Sequence, residues 1–152
     1  MPDKEFVSAP LKNAVESGSV CWEAPSNIAL VKYWGKKENQ IPANPSISFT
    51  LKNCKTTTRL NYVKVSDNST TSRGIEFDVI FEGVKKESFK PKIVSFFKRI
   101  LPYCSYLEEF KFEVVSDNSF PHSSGIASSA SGMSALALCV MSLEKSLFPE
   151  TE

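Results

Sequence analysis

The stretch FPHSSGIASSASG, residues 120–132, carries five serines and two glycines but no carboxylate and no lysine. The thirteen residues that follow it, MSALALCVMSLEK at 133–145, are mostly apolar. Apolar side chains recur here at helical spacing and form one face with the next leucine: Met133, Leu136, Ala137, Val140, Leu143 and Leu147. The sequence therefore predicts a buried helix that begins in a serine-rich, uncharged loop.

The entry to this helix has two interpretations. Backbone N–H groups at a helix N-terminus carry partial positive charge, so they bind anions without a lysine. Gly125 can adopt the left-handed conformation that folds a phosphate-binding loop. The hydroxyls of Ser128, Ser129 and Ser131 can donate to phosphate or hold magnesium. Serine is equally a good N-cap for structural reasons alone, and neither the Walker A loop nor the dinucleotide fingerprint is matched.

The only histidine of the sequence, His122, lies in this loop. It is either a general base or an ordinary surface loop residue, and the second role is the expected one. Ser123 and Ser124 follow it directly, but adjacency in sequence does not give the geometry of a catalytic triad. A single histidine also excludes a metal cluster built from several histidines.

Upstream of the loop, the pattern of apolar residues predicts strands first and a helix after them. The predicted strands are two short runs around Pro25 within residues 19–35, followed by 44–51, 56–65, 75–83 and 110–118. A helix at 88–103 has Ile93, Phe96, Phe97 and Ile100 at helical spacing and ends at Pro102. Residues 1–18 are predicted to be a loose arm and 66–74 a loop. This order predicts an α+β fold, with one mostly antiparallel sheet and helices packed on one face.

Length and charge limit the classes of protein that the chain can belong to. Its 152 residues suit one domain with a real core. With 18 basic and 17 acidic side chains, it lacks the basic surface that nucleic acid or an anionic membrane requires. No apolar stretch reaches the ~18–20 residues of a membrane span, and the N-terminus has no secretory signal. We therefore expect a cytoplasmic protein.

The four cysteines, Cys21, Cys54, Cys104 and Cys139, are far apart in the sequence. None forms a CxxC pair, so a zinc site and a disulfide framework are not expected. Cys21 and Cys139 fall in apolar stretches and are predicted to be buried thiols.

A second motif, APSNIALVKYWGKKEN at residues 24–39, joins a strand-like run to the aromatic pair Tyr33 and Trp34. Gly35 permits a sharp turn, and Lys32, Lys36 and Lys37 bring compact positive charge. Aromatic faces, a turn and lysines suit the recognition of a small polyanion such as a diphosphate. The alternative is a strand end with core aromatics and solvated lysines.

The two motifs together resemble one family. APSNIALVKYWGKKEN followed by IPANPSISFTL looks like the N-terminal signature of mevalonate diphosphate decarboxylases, and FPHSSGIASSASGMSALAL resembles their phosphate-binding loop. That loop is the second motif of the GHMP kinase superfamily. The resemblance implies the two-domain GHMP architecture, with residues 1–152 as its N-terminal, ribosomal protein S5 domain 2-like half. The chain ends in FPETE, and we expect the C-terminal domain to be absent from it.

The resemblance also implies a reaction and a set of site residues. ATP, with Mg2+, phosphorylates the tertiary hydroxyl of mevalonate 5-diphosphate; phosphate and carbon dioxide then leave to give isopentenyl diphosphate. The residues expected to bind substrate are Asn27, Lys32, Tyr33, Trp34 and Lys36. Those expected to bind the ATP phosphates are Ser123, Ser124, Gly125, Ala127, Ser128, Ser129 and Ser131. The family's catalytic aspartate would lie beyond residue 152, so the fragment is expected to be inactive alone. Family members also suggest a homodimer.

Alternatives to the decarboxylase remain at this stage. A related GHMP kinase would phosphorylate a mevalonate-type alcohol without decarboxylation. A non-enzymatic RNA-binding module has the same S5-like fold, although the near-neutral charge argues against it. The family loop usually reads Pro-Thr-Ala-Ala-Gly-Leu, whereas this chain has His122 after Pro121, and the bulkier side chain can contact the nucleotide or change its affinity.

Overall fold

The computed structural model describes residues 4–11, 15–38, 41–65 and 74–149. Its strands and helices, in chain order, are β1 (Ser17–Val31), β2 (Ile47–Lys64), β3 (Glu76–Phe81), β4 (Val84–Lys85), α1 (Lys90–Ile100), β5 (Phe110–Asn118) and α2 (Ser128–Leu147). Short 3-10 turns occupy Lys4–Phe6, Glu87–Phe89 and Ser105–Glu109. No helix in the described ranges is both long enough and apolar enough to cross a membrane.

The strands form one sheet in the order β1-β2-β5-β3-β4. All neighbours pair antiparallel except β3 and β5, which run parallel because α1 lies between them in the chain. This arrangement confirms the predicted α+β fold and its mostly antiparallel sheet. Two of the predicted strands, 75–83 and 110–118, and both predicted helices are confirmed. Most of their boundaries are shifted by a few residues.

Both helices pack on the same face of the sheet. In β3, Phe77, Val79 and Phe81 point into the core, as the alternation of the sequence predicts. From α1, the ring of Phe97 lies 5.3 Å from that of Phe77 and 5.9 Å from that of Phe112 in β5. Leucines of α2 belong to the same cluster of buried residues. The opposite face carries polar residues such as Asn61 and Glu113, which hydrogen-bond at 2.8 Å.

The first two strands are longer than the sequence predicts. Instead of two short runs around Pro25, β1 is one strand of 15 residues. The register shifts between Pro25 and Ser26, and β1 is the edge strand of the sheet, so the missing proline N–H removes no ladder hydrogen bond. The predicted strands at 44–51 and 56–65 are likewise parts of one 18-residue strand, β2, because pairing with β1 continues along both.

The structure differs from two further predictions, the burial of Cys21 and the loose arm at residues 1–18. Cys21 is exposed, because it alternates to the open face of β1, whereas Cys139 is buried as predicted. The Cys139 thiol donates to the Thr58 carbonyl oxygen at 3.2 Å, and burial raises the pKa of this thiol to about 11. The arm at 1–18 is fixed at Ser8, whose N–H donates to the Tyr103 carbonyl oxygen at 2.8 Å. Most of the loop predicted at 66–74 lies outside the described residues.

Candidate functional site

A cavity of about 280 Å³ lies between the sheet and the helices, at the end of the sheet where α2 begins. Its walls come from three strands, from the start of α1, from the loop before α2 and from the first turns of α2. The residues that line it are Thr56, Thr58, Val79, Phe81, Ser88, Phe89, Lys92, Ile93, Val114, Ser116, Asn118, His122, Ser128, Ser129, Gly132, Met133 and Leu136. The cavity is mostly apolar, with polar groups at its two ends.

One end of the cavity is the N-terminus of α2. Ser128 and Ser129 of the predicted phosphate loop line it. No side chain caps this helix, and its first turn carries no carboxylate. Two N–H groups of this first turn are already paired, since Ser128 donates to the Ile126 carbonyl oxygen at 2.7 Å and Ala130 to that of Ala127 at 3.1 Å. What the uncapped N-terminus offers an anion is therefore its partial positive charge and the hydroxyls of Ser128 and Ser129. This part of the loop therefore has the chemistry of a phosphate site rather than that of a serine-capped helix.

The loop before α2 makes two left-handed turns. Gly125 has a φ of 81°, as the sequence predicts, and Ser123 has a φ of 63°. The serines and the glycine before the helix are exposed: Ser123, Ser124 and Gly125, together with Ala127. A left-handed residue reverses the direction of successive N–H groups, which makes a concave surface for an anion.

Ser131 differs from the rest of the predicted phosphate set. It is only 2% exposed, and its single hydroxyl proton has two acceptors within reach, the Thr56 hydroxyl oxygen at 2.7 Å and the Ser128 carbonyl oxygen at 3.1 Å. Thr56 in turn donates to Asn118 Oδ1 at 2.7 Å. Because this hydroxyl is already engaged inside the protein, we assign Ser131 to holding α2 on the sheet rather than to contacting phosphate.

Thr56 and Asn118 are polar residues that the sequence analysis overlooked. They are cross-strand partners of β2 and β5, as are Thr58 and Ser116, whose hydroxyls lie 2.5 Å apart. The signal for them is alternation, since Thr56 and Thr58 lie on the same side of β2 as the buried Leu60. Polar side chains in an otherwise apolar series indicate a site or a structural network.

The other end of the cavity is aromatic. The His122 ring lies 5.1 Å from the Phe81 ring and 5.6 Å from the Phe89 ring, and the two phenylalanine rings are 5.1 Å apart. Three chain segments supply these rings: the end of β3, the turn before α1 and the loop after β5. Lys92, one turn into α1, also lines this end.

The five residues predicted to bind substrate lie elsewhere, at the far end of β1 and in the connection to β2. Residues 32–38 and 41–46 form a corner in which Lys36 pairs with Pro42 in an isolated bridge. The Lys36 ammonium lies 5.6 Å from the centre of the Tyr33 ring. Trp34 is 94% exposed, so it is not a core aromatic residue. The corner therefore presents an ammonium and aromatic faces to solvent, as the diphosphate interpretation requires.

Asn44 holds this corner together. Its Oδ1 accepts a hydrogen bond from the Trp34 backbone N–H at 2.7 Å. Its Nδ2 donates to the carbonyl oxygen of Pro45 at 2.8 Å and to that of Lys32 at 3.4 Å. The side chain thus links the two sides of the corner. The sequence signal is the general preference of asparagine for turns, which is too common to single out this residue.

The corner and the cavity share one end of the sheet but not one concave surface. Ala24 of β1 pairs with Thr56, which contacts α2 at Ser131. Asn27 lies three residues further along β1, a distance of about 10 Å at 3.3 Å per residue. None of the five predicted substrate residues lines the cavity. The structure therefore brings the two predicted sites to the same end of the fold, and within the described ranges it shows no single cleft that contains both.

Within the described residues, no three His, Cys, Asp or Glu side chains lie close enough together to hold a metal ion. The cavity nevertheless offers hydroxyls, which bind magnesium when phosphate oxygens and waters complete its shell. Magnesium would thus fit this site as a companion of bound phosphates.

The chain is similar to one family over most of its length. Residues 24–151 match the family described as the diphosphomevalonate decarboxylase-like N-terminal domain. The diphosphomevalonate decarboxylase of Candida albicans is 31% identical over 132 residues, which are 79% of this chain and 34% of that protein. The chain therefore spans about a third of the length of the curated relatives it matches.

Solved structures of mevalonate diphosphate decarboxylases also resemble this chain. Mevalonate diphosphate decarboxylase from Legionella pneumophila superimposes with a TM-score of 0.66 at 30% identity, covering 88% of this chain and 42% of that one. Two others have TM-scores of 0.60 at 33% identity and cover 80% of this chain and 35% of theirs. One of the two is the mevalonate diphosphate decarboxylase of Enterococcus faecalis, in a structure that describes ATP binding mediated by mevalonate diphosphate. The other is a complex with MVAPP, AMPPCP and magnesium.

Proposed function

Since this chain belongs to the family of diphosphomevalonate decarboxylase-like N-terminal domains, we propose that residues 1–152 are the N-terminal part of an ATP-dependent mevalonate 5-diphosphate decarboxylase. In this reaction the tertiary hydroxyl of the substrate takes the γ-phosphoryl group of ATP and ADP leaves. Phosphate and carbon dioxide then depart, and the electron pair of the carboxyl bond forms the double bond of isopentenyl diphosphate. The named relatives and the complexes with MVAPP and an ATP analogue support this assignment.

The observation that carries the proposal is the uncapped N-terminus of α2, which opens into the cavity. In the proposed complex, the ATP phosphates lie against Ser123, Ser124, Gly125 and Ala127 and against the hydroxyls of Ser128 and Ser129. The base enters the apolar cavity, whose volume is close to the lower end of the range of ~300–1,000 Å³ for small-molecule sites. A space of this size suits one part of a nucleotide, with the charged part outside it.

Magnesium belongs to the proposed site through the nucleotide. When bound between phosphate oxygens, it neutralises the charge that develops during phosphoryl transfer. The hydroxyls of Ser128 and Ser129 are the side chains of this chain that would hold it. No aspartate or glutamate lines the cavity, so in the proposed complex its serine hydroxyls position and neutralise the phosphates.

The corner at residues 32–38 and 41–46 is the proposed site of the substrate diphosphate. Lys36 and Lys32 bring positive charge, Tyr33 and Trp34 supply the walls, and Asn27 on β1 orders the pocket. Charge-assisted hydrogen bonds from ammonium groups to phosphate are stronger than neutral ones. The proposal further requires that the tertiary hydroxyl and the γ-phosphate meet across this end of the sheet.

The test uses the full-length protein with mevalonate 5-diphosphate, ATP and magnesium. We expect ADP and carbon dioxide in equal amounts, together with isopentenyl diphosphate. Accumulation of a phosphorylated product whose mass retains the carboxylate would instead identify a kinase without decarboxylation, which the names of the relatives do not favour. Pure protein that yields neither ADP nor carbon dioxide would reject the proposal.

Three finer expectations accompany the proposed function. The reaction has soluble substrates, which suits the cytoplasm. The net charge of +1 supports the expectation that nucleic acid is not a partner. A homodimer remains a prediction, and light scattering coupled to size-exclusion chromatography of the full-length protein would test it.

A further inference from the structure

His122 is held in the cavity wall by the two phenylalanines of its aromatic end. The His122–Phe81 contact is edge-to-face, with an angle of 63° between the rings, and Phe81 is only 5% exposed. The second contact, to Phe89, is tilted by 47°. Aromatic pairs at these separations prefer such geometries. The imidazole is therefore supported by two rings from other segments of the fold, although it lies in an exposed loop.

The backbone of the loop places the histidine and the serines at different parts of the same cavity. Ser123, which follows His122 directly, has a φ of 63°, and Gly125 has a φ of 81°. These two left-handed residues turn the chain between the histidine and the start of α2. As a result, His122 lines the aromatic end, whereas Ser128 and Ser129 line the helix end.

Imidazole differs from phenylalanine in offering a hydrogen-bond donor and an acceptor at its edge. These two ring contacts hold the plane of the imidazole, and because His122 is itself exposed, a ligand at the cavity can reach the ring. The rest of the aromatic end is apolar apart from Ser88 and Lys92. A planar heterocycle bound there would meet carbon surfaces and, at His122, a polar edge.

We propose that His122 is a specificity-determining residue, whose imidazole hydrogen-bonds the edge of the purine base of the bound nucleotide and selects adenine over guanine. This inference rests on the proposed function, because it takes the phosphates to lie at the α2 N-terminus. Adenine and guanine have the same ring area but opposite donor and acceptor groups at their six-position. A His122 nitrogen that accepts a hydrogen bond there pairs with the amino group of adenine but not with the carbonyl oxygen of guanine, whereas apolar surfaces do not distinguish the two bases.

Two substitutions distinguish the contribution of the aromatic ring from that of its nitrogens. His122→Phe keeps an aromatic ring against Phe81 and Phe89 but removes both nitrogens, whereas His122→Gln keeps a donor and an acceptor without the ring. Binding of Mg·ATP, Mg·GTP and magnesium triphosphate to the full-length protein is measured by isothermal titration calorimetry. Triphosphate has no base, so it reports on the phosphate loop alone.

We expect His122→Phe to weaken ATP binding by about three- to tenfold, the worth of one neutral hydrogen bond, and to bring the ATP and GTP affinities together. His122→Gln should retain more of the preference for ATP than His122→Phe does. Triphosphate binding should stay unchanged in both variants, and the midpoint of thermal unfolding of His122→Phe should stay close to that of the wild type.

The outcomes distinguish this inference from the function on which it rests. Wild-type protein that binds neither ATP nor triphosphate would reject the nucleotide site itself. Wild-type protein that binds ATP, with a His122→Phe variant of unchanged affinity and unchanged preference, would overturn only the role of His122. The same holds if ATP, GTP and triphosphate all weaken by one factor, because the histidine would then act through the phosphate loop.

Discussion

The sheet has two regions with opposite surroundings. Around Leu60 and Val114, the helices cover one face completely, and the cavity opens at the edge of this packed region. Beyond Ser26, β1 continues with its partner strand β2 as an extension of the sheet. Large apolar side chains on that extension are exposed by 38–63%: Ile28, Leu30, Val31, Ile47 and Phe49. We refer to these two parts as the covered region and the strand extension.

The two proposed sites are held in place by different kinds of interaction. The α2 N-terminus is fixed by core packing and by the bonds among Thr56, Ser131 and Asn118. The corner at 32–38 and 41–46 depends instead on backbone hydrogen bonds and on the side chains of Asn44 and Ser46, whose hydroxyl donates to the Val31 carbonyl oxygen at 2.7 Å. Mutations in the covered region should therefore change stability first, whereas mutations in the strand extension should change binding without changing stability.

The largest expected effect compares the same substitution in the two regions. Leu143→Ala removes a side chain that is 0% exposed, so it should lower the free energy of unfolding by about 2–5 kcal/mol, as other buried leucines do. Leu30→Ala, at a residue 63% exposed, should stay within about 0.5 kcal/mol of the wild type. Urea denaturation of both variants measures the difference. Equal losses would mean that the strand extension is packed in the folded protein.

Lys36→Ala tests the corner. The full-length enzyme should bind mevalonate 5-diphosphate more weakly by about 1.5–3 kcal/mol, the worth of a hydrogen bond to a charged group. Lys37→Ala is the matched control, because this neighbouring lysine is also exposed but is not assigned to the diphosphate. The Michaelis constant for the substrate and the midpoint of thermal unfolding are both measured. An unchanged constant for Lys36→Ala would show that the diphosphate lies elsewhere.

Thr56→Val tests the polar network under α2. Removing the hydroxyl leaves Asn118 Oδ1 without this donor and Ser131 with the Ser128 carbonyl oxygen alone, which should cost about 1–3 kcal/mol of stability. On the other face of the same strand, Thr57→Val removes only a 3.4 Å contact to Glu23 and should change little. Weaker triphosphate binding in Thr56→Val alone would confirm that the network positions the phosphate loop. Identical behaviour of the two variants would refute that role.

The smallest expected effect lies at the boundary between the two regions, where Lys55 bonds Glu23 at 3.0 Å. The hydrogen bond and the charge of this lysine lower the pKa of the Glu23 carboxyl below its ordinary value. Because the folded-state pKa is the lower one, the stabilisation is present above the unfolded pKa and is lost as the pH falls through the folded pKa. An NMR titration of the Glu23 carboxyl should show a midpoint that rises in Lys55→Met. A midpoint that does not move would mean that the pair is absent in solution.

Much of the fold could be predicted from local patterns. Alternation identified β3 and β5, and helical spacing identified α1 and α2, because each buries one face against the same core. The continuity of β1 through Pro25 could not be predicted in this way. A proline ends a strand in most contexts, and only the position of β1 at the edge of the sheet makes Pro25 acceptable. The exposure of Cys21 follows from the same unbroken strand.

Some features of the two proposed sites could likewise be predicted from the sequence, and others could not. Small residues and a glycine before an apolar helix predicted the loop and the conformation of Gly125. The different place of Ser131 could not be predicted, since it depends on Thr56, which lies 75 residues earlier and reaches the helix only through the sheet. The ring contacts of His122 are equally distant in sequence, with Phe81 on β3 and Phe89 before α1.

The sequence by itself determined the type of each element, the family and the composition of both proposed sites, because these depend on neighbouring residues and their period. Only the tertiary structure decided which serine hydroxyls face the cavity, which aromatic rings close it and how far the corner lies from it. Those features depend on strand register and helix docking, in which residues far apart in the chain meet through the packing of one shared core.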